Sequence, residues 1–432
     1  RYTGIRMCNQ LLENIDRVPD LDPELKKRYI GEAKVLRAYS YYELYTKFGD
    51  IPYTTKVLSI KESMSIARTA KATVIANVLA DLDEVINGNY LPTSYDADNK
   101  GRITRWAAMA IKAKIYLFEG NWTQVKNITS TIMTEGGFKL FGSYAGLFEI
   151  ANEYNSEVIL DAQYRPTSRE HQMMYVFLPP TLGGYSQLSP LQELVDSYIM
   201  LDGKTIKETG TSFDESHPYA NRDPRLKATV MYTGNSYTLA DGTEVVINCE
   251  KGEGKDGYGV GSDCSATGYY IKKYWDNTYR ATLYSGLNPI LIRYADILLM
   301  NAEALAELGE LDKTAWDATI KPIRDRAGFT LASALEFPEG ASKDKLIEIV
   351  RNERRSELAL EGHRHKDIIR WRIADNVLNG WCHGLKTNDV VGTDDGYVRV
   401  ENRTFNANKH YLWPIPQAER DLNGNLEQNP NW

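Results

Sequence analysis

The stretch from Arg351 to Trp371, RNERRSELALEGHRHKDIIRW, holds more charge than a packed helix ordinarily tolerates, and any fold for this chain has to resolve that conflict. Just upstream, Leu346, Ile349 and Val350 mark an inward stripe at helical spacing. Followed for one and two further turns, the stripe lands on Glu353, Glu357 and Glu361, so carboxylates are carried onto the packed side. Unpaired, they would repel one another at i,i+4. Arg351, Arg354, Arg355, Arg364, Arg370 and Arg372 lie within reach. Their forked, permanently charged guanidinium groups suit carboxylates, so a paired Arg/carboxylate lattice is expected. Gly362 is expected to end the helix.

The same acids could be read as the acid/base pair of a glycoside hydrolase, which needs carboxylates flanking a cleft. Their spacing argues against it. Carboxylates one turn apart among arginines lose their protons more readily, so neither is poised as an acid near neutral pH. The lattice is therefore read as scaffolding, and no catalytic residue is assigned. His363 and His365, two residues apart, fall on different sides of a helix, and no His-Glu-x-x-His pattern occurs, so no metal site is assigned.

A net charge of -7, with no Lys/Arg cluster beyond this segment, gives no electrostatic footprint for nucleic acid or an anionic membrane. No uninterrupted apolar run approaches a membrane span, because the best candidate, around Ile290 to Met300, is broken by Arg293 and Asp296. The chain opens on Arg1 without a charged-then-apolar leader, which fits a processed or truncated protein. Cys8 follows Met7 where a lipid-anchoring cysteine would follow a small residue, and it reads as a buried helix thiol. Cys249 and Cys264 bracket CEKGEGKDGYGVGSDC, a glycine-rich loop with no hydrophobic means of closing itself, so a disulfide between them is expected in an oxidising compartment. Cys382 reads as a lone thiol.

Asp22 and Pro23 form an N-cap and first-turn proline, opening a helix that runs to Gly49. A second helix covers about 70–87, with Ile75, Val78, Leu79, Leu82 and Ile86 on one face. Thr104 caps a third. That third helix, TRWAAMAIKAKIYLFEGNW, matches the later RYADILLMNAEALAELGEL when Ala113 is laid on Ala302 and Gly120 on Gly309. Small residues at a helix crossing, a glycine turn and a following helix are the mark of tetratricopeptide-like pairs. Between the pairs lie two long excursions, about 163–190 and 201–288, rich in Gly, Pro, Asn, Asp and aromatics. Loops this long are usually functional. Tyrosine is the compositional outlier, 28 against 10 Phe, and a flat apolar face with a hydrogen-bonding edge suits amphipathic ligands such as sugar rings. Tyr39, Tyr41, Tyr42 and Tyr45, in a helical pattern, read as core.

Taken in order, YTGIRMCNQLLENI, EAKVLRAYSYYELYTKFGDIPY, TVIANVLADLDEVI, GRITRWAAMAIKAKIYLFEGNW, LVDSYIMLDGK, NRDPRL, LIRYADILLMNAEAL, the 351–371 block and YLWPIPQAERDLNGNLEQNPNW resemble the SusD/RagB family over nearly the whole chain. The resemblance implies a mainly α, SusD-like fold in which tetratricopeptide-like pairs support an irregular loop face with a few short strands. It implies one SusD-like domain over 1–432, with a helical part at 1–160, a loop-rich ligand face at 161–288 and a second helical part at 289–432. It also implies a non-catalytic, surface-exposed outer-membrane lipoprotein that captures oligosaccharide or polysaccharide and delivers it to a SusC-like TonB-dependent transporter. On that reading membrane contact is made only through an N-terminal lipid anchor that this sequence does not contain. Capture of peptide for an importer is the alternative from the same scaffold. No cofactor is implied, and structural calcium stays open. The family's ligand residues vary, so the site is placed by residue type on the excursions: Tyr175, Phe177, Tyr185 and Gln187 in the first, Trp275 and Tyr279 in the second.

Overall fold

The computed structural model describes residues 1–278 and 282–432. The helices are α1 (Tyr2–Asn14), α2 (Pro23–Phe48), α3 (Ile60–Ser63), α4 (Lys71–Asn87), α5 (Arg105–Phe118), α6 (Trp122–Glu135), α7 (Met173–Phe177), α8 (Gln192–Val195), α9 (Pro224–Thr229), α10 (Tyr294–Leu308), α11 (Lys313–Ala327), α12 (Ala332–Leu335), α13 (Lys343–Glu357), α14 (Arg364–Arg370), α15 (Ala374–Val377) and α16 (Gln417–Leu422). The strands are short: β1 (Val158–Asp161), β2 (Val230–Met231), β3 (Ser236–Thr238), β4 (Glu244–Val246), β5 (Tyr270–Ile271), β6 (Ile290–Arg293), β7 (Gly380–Lys386), β8 (Thr393–Asp394) and β9 (Tyr397–Arg403). They make two-stranded pairs β1–β6, β2–β5 and β3–β4 and one three-stranded sheet in the order β7–β9–β8. The fold is mainly α, as the sequence implies.

Two compact units are present. The first comprises Arg1–Gly137, His365–Leu378 and Phe405–Trp432, and the second Phe138–Arg364 and Asn379–Thr404. Residues 289–432 are shared between both units.

In the first unit, the Asp22 carboxylate accepts a hydrogen bond from the Leu25 amide and Pro23 occupies the first turn, so α2 starts where the cap allows. Its Tyr41, Tyr42 and Tyr45 are buried, as their helical spacing predicts. On α4 the buried face is Val74, Val78, Leu82, Val85 and Ile86, one step round from the expected stripe, with Ile75 and Leu79 at its edge. Helix α5 packs between α4 and α6 through Ala107, Ala108, Ala110 and Ala113, all fully buried, which lets the backbones approach closely.

The second unit repeats this device. Ala302 of α10 is fully buried, and Gly309, like Gly120 after α5, adopts a positive φ that turns the chain into the next helix. The expected likeness of the α5–α6 pair to the α10–α11 pair is therefore present, each within its own unit.

The charged block resolves its conflict as a lattice, but with other partners than expected. Glu353 pairs with Arg225 and Arg324, both at 2.7 Å. Glu357 pairs with Arg225 at 2.9 Å, Arg293 at 2.6 Å and Arg326. Glu361 receives Arg293 at 2.7 Å and Lys273 at 2.6 Å. The local arginines turn elsewhere: Arg354 to Asp296 at 2.6 Å, Arg351 to Glu307 at 2.9 Å, Arg370 to Asp367 at 2.8 Å and Arg355 to the Glu193 carbonyl. Burial alone would raise the Glu357 carboxyl, but Arg326, Arg293 and Arg225 outweigh it and hold it well below the carboxylate range. The helix stops at Glu357 rather than at Gly362. Leu360, at φ 64, breaks the helical path first, and the turn that follows swings Glu361 back onto Arg293.

Candidate functional site

All of the described site residues predicted from the sequence lie in the second unit. Tyr175 on α7 and Tyr185 form a stacked pair, ring centroids 4.2 Å apart at 28°. The backbone enforces this: the Tyr185 amide donates to the Tyr175 carbonyl at 3.0 Å and the Leu188 amide to Val176 at 2.9 Å. The return depends on Gly184, where a Cβ would meet the Leu178 carbonyl oxygen at 2.1 Å. Tyr185 stays 40% exposed, so one side of the stack faces solvent, and Gln187 is exposed beside it. Asp263 of the glycine-rich loop lies close enough for its charge to act on the Tyr175 phenol.

The other three expectations fall outside this stack. Phe177 is 3% exposed and belongs to the core with Met174, Leu178 and Leu182, because two residues along a helical turn put it on the opposite side from Tyr175. Trp275 is half-buried: its indole N–H donates to the Thr238 carbonyl at 2.9 Å and its ring meets Tyr237 at 5.1 Å, fastening the β3–β4 hairpin. Tyr279 lies outside the described residues.

Cys249 and Cys264 are free thiols, so the expected disulfide is not formed. The loop between them closes by hydrogen bonds instead. The Tyr258 amide donates to the Cys249 carbonyl at 3.2 Å and the Gly252 amide to Tyr258 at 3.0 Å. The Tyr270 hydroxyl donates to the Asp256 carbonyl, and the Asp256 carboxylate accepts the Thr181 amide at 2.7 Å. Burial pushes the Cys249 thiol up, which keeps it protonated and inert.

A concavity of this unit was not picked out from the sequence. It is a cleft of about 880 Å³ with Tyr219, Tyr232, Tyr269 and Tyr397 among its walls. Tyr219 and Tyr232 stack with centroids 4.0 Å apart at 18°, and Tyr269 meets Tyr219 edge-on at 6.5 Å. The Tyr219 and Tyr269 hydroxyls are 3.2 Å apart, and Tyr269 donates onward to the Gln192 side-chain oxygen at 2.6 Å. The NRDPRL block builds this wall. Arg222 donates to the carbonyls of Pro218 at 2.7 Å, Val195 at 2.6 Å and Tyr198 at 2.8 Å, fixing the backbone that carries Tyr219. Asp223 caps α9 and pairs with Arg225 at 2.7 Å, joining this wall to the lattice.

Burial raises the Tyr219 phenol to about 12 and pushes Tyr269 well above its ordinary value, so both are neutral donors and acceptors at any physiological pH. Of the charges lining it, the buried Arg222 is committed to backbone carbonyls, while at the exposed rim Lys386 pairs with Glu215 at 2.8 Å and Lys251 with Asp389 at 2.5 Å. The cleft thus offers π faces, neutral hydroxyls and an amide, a surface for recognising ring-shaped polyols rather than for moving protons. Among the described residues, no group of three or more His, Cys, Asp or Glu is arranged to hold a metal ion, and no helix is long and apolar enough to cross a membrane.

Comparison with known proteins agrees with the architecture. Residues 147–432 match the model of the SusD family, and residues 1–117 match a family described as starch-binding and associating with the outer membrane. SusD-like protein P25 of Formosa agariphila is 28% identical over 401 residues, 87% of this chain and 70% of that protein. A SusD-like carbohydrate-binding protein from Bacteroides fragilis superposes with a TM-score of 0.88 at 30% identity, over 99% of this chain and 84% of its own. A laminarin-binding SusD-like protein shares the fold at a TM-score of 0.69 and 24% identity, over 100% of this chain and 84% of its own.

Proposed function

The chain belongs to the SusD family, and on that premise we propose that it captures oligosaccharide or polysaccharide at the bacterial surface, leaves it chemically unchanged, and passes it to a TonB-dependent outer-membrane transporter. The observation that carries the reading is the pair of stacked tyrosines, Tyr219 on Tyr232, walling a cleft whose hydroxyls are neutral. Sugar rings bind by laying apolar C–H faces on aromatic rings while their hydroxyls exchange hydrogen bonds at the edge, and this cleft supplies both. The carbohydrate-binding relative from Bacteroides fragilis and the laminarin-binding one support the same ligand class. The Tyr175–Tyr185 stack, with one open side, offers a second surface of the same chemistry.

Affinity electrophoresis against laminarin, starch and a broad panel of other polysaccharides tests the reading. Retardation by at least one glycan is expected. Indifference across the panel, with retention of peptides instead, would replace it with the peptide-capture alternative. Co-purification with a TonB-dependent barrel from native outer membranes tests the delivery step.

A further inference from the structure

The sheet β7–β9–β8 and the turn that follows β7 form one side of the cleft, through Lys386 and Tyr397 of the strands and Thr387, Asn388 and Asp389 of the turn. Its base is fixed in the core: Leu385 is 8% exposed and its amide donates to the Thr267 carbonyl at 2.8 Å. Its far end has no such anchor, since Val390 and Val391 are 89% and 91% exposed. Cys382 and Val398 are buried as well, and at the exposed positions the tethers are ionic: Lys386–Glu215, Lys251–Asp389 and a bridge centred on His383. That bridge has an unusual geometry. His383 Nδ1 lies 2.8 Å from the Glu193 carboxylate on α8, and Nε2 lies 3.0 Å from the Asp394 carboxylate on β8. The His383 amide also donates to Glu193 at 3.0 Å, and Arg399 of β9 pairs with Asp394.

An imidazole flanked on both nitrogens by carboxylate oxygens satisfies both only as the imidazolium, with two N–H donors. Neutral, it keeps one donor and turns a lone pair toward the other carboxylate. What moves with α8 is the cleft. Gln192, next to Glu193, accepts from Tyr269, whose hydroxyl meets that of Tyr219, whose ring stacks on Tyr232.

We propose that His383 is a positioning residue: as an imidazolium it sews the cleft's sheet wall to α8 and so holds the tyrosine stack in register, making ligand capture proton-dependent. This rests on the reading of the cleft as the glycan site. The groups facing the bridge are Glu193 from α8, Asp394 from β8 and Arg399 from β9. Near them are Cys382, Glu401 and Arg403 on the neighbouring strand positions, and Arg355 of α13 on the Glu193 carbonyl. Burial lowers the His383 affinity for its second proton, but the hydrogen bonds to Asp394 and Glu193 outweigh it and raise the group above its ordinary 6.5. With a folded value above the unfolded one, the contribution is complete below pH 6.5 and disappears as pH rises through the raised value.

The test has three arms on the wild type, His383→Gln and Asp394→Asn. Proton NMR of the imidazole should place His383 above 6.5 in the wild type and nearer to it in Asp394→Asn. Hydrogen exchange at residues 380–386, corrected for intrinsic rates, should quicken with pH by up to about five-fold in the wild type, the scale of exposed ion pairs. His383→Gln should show the faster rate at every pH. Affinity for laminarin, or for the best-retained glycan of the panel, should fall across the same pH range in the wild type alone. A midpoint at or below 6.5, or the same pH dependence of exchange in His383→Gln, overturns the proposal. If no glycan binds, the titration and exchange arms still decide the positioning role, so its failure is separable from that of the glycan reading.

Discussion

The second unit uses ion pairs in two places with opposite consequences. Around α13, Glu353, Glu357 and Glu361 and their Arg and Lys partners are almost wholly withdrawn from water. At the cleft rim, Lys386–Glu215 and Lys251–Asp389 are substantially exposed, with side-chain exposures from 38% to 71%. Exposed pairs are screened and worth little; buried ones leave an uncompensated charge when one partner goes. Charge buried in the lattice therefore belongs to folding, and on the proposed function recognition falls to the neutral phenols of the cleft.

The sharpest way to break this contrast is Glu357→Ala. It takes one buried carboxylate from Arg225, Arg293 and Arg326, which keep Asp223, Glu353, Glu361 and Glu157 as partners but with an excess of buried positive charge, and denaturant melts should show a loss of about 3–5 kcal/mol, the cost of breaking a buried pair. Glycan preference of the folded fraction should not change. Acidification probes the same region without mutation. The Glu353, Glu357 and Glu361 carboxyls lie below their ordinary 4.5 when folded, so their stabilisation is complete above that value and is lost as pH falls beneath it. Melting temperature should drop steeply on that side. Next in size, Tyr185→Ala removes one ring of the outer stack, and affinity electrophoresis should show retention weakened about three-fold, the scale of an aromatic contact, with the melting temperature kept. Smallest, Lys251→Ala at the rim should shift stability by less than about 1 kcal/mol in the same melts.

What the sequence disclosed follows the range of the interactions involved. Helix pairs are local, so the alignment of Ala113 with Ala302 and Gly120 with Gly309 found both pairs. The lattice was half legible. Helical periodicity showed which acids face inward, but Glu357's partners sit 132 and 64 residues away at Arg225 and Arg293, where no spacing rule reaches. The site was the least legible. Its tyrosines come from positions 219, 232, 269 and 397, joined only by the fold. Residue type alone selected Phe177, which a five-residue helix turns into the core. The excess of tyrosine over phenylalanine and the long excursion at 201–288, which holds Tyr219, Tyr232 and Tyr269, were the sequence signals that pointed to the cleft without singling out its residues.

The central claim, that stacked neutral tyrosines bind glycan while charge holds the fold, is tested most directly by calorimetric titration of Tyr219→Ala with the glycan that the wild type retains, alongside a thermal melt. Affinity weakened about ten-fold, the upper range of a stacking contact, with an unchanged melting temperature, is the expected result. Undiminished affinity in a folded Tyr219→Ala protein would contradict it.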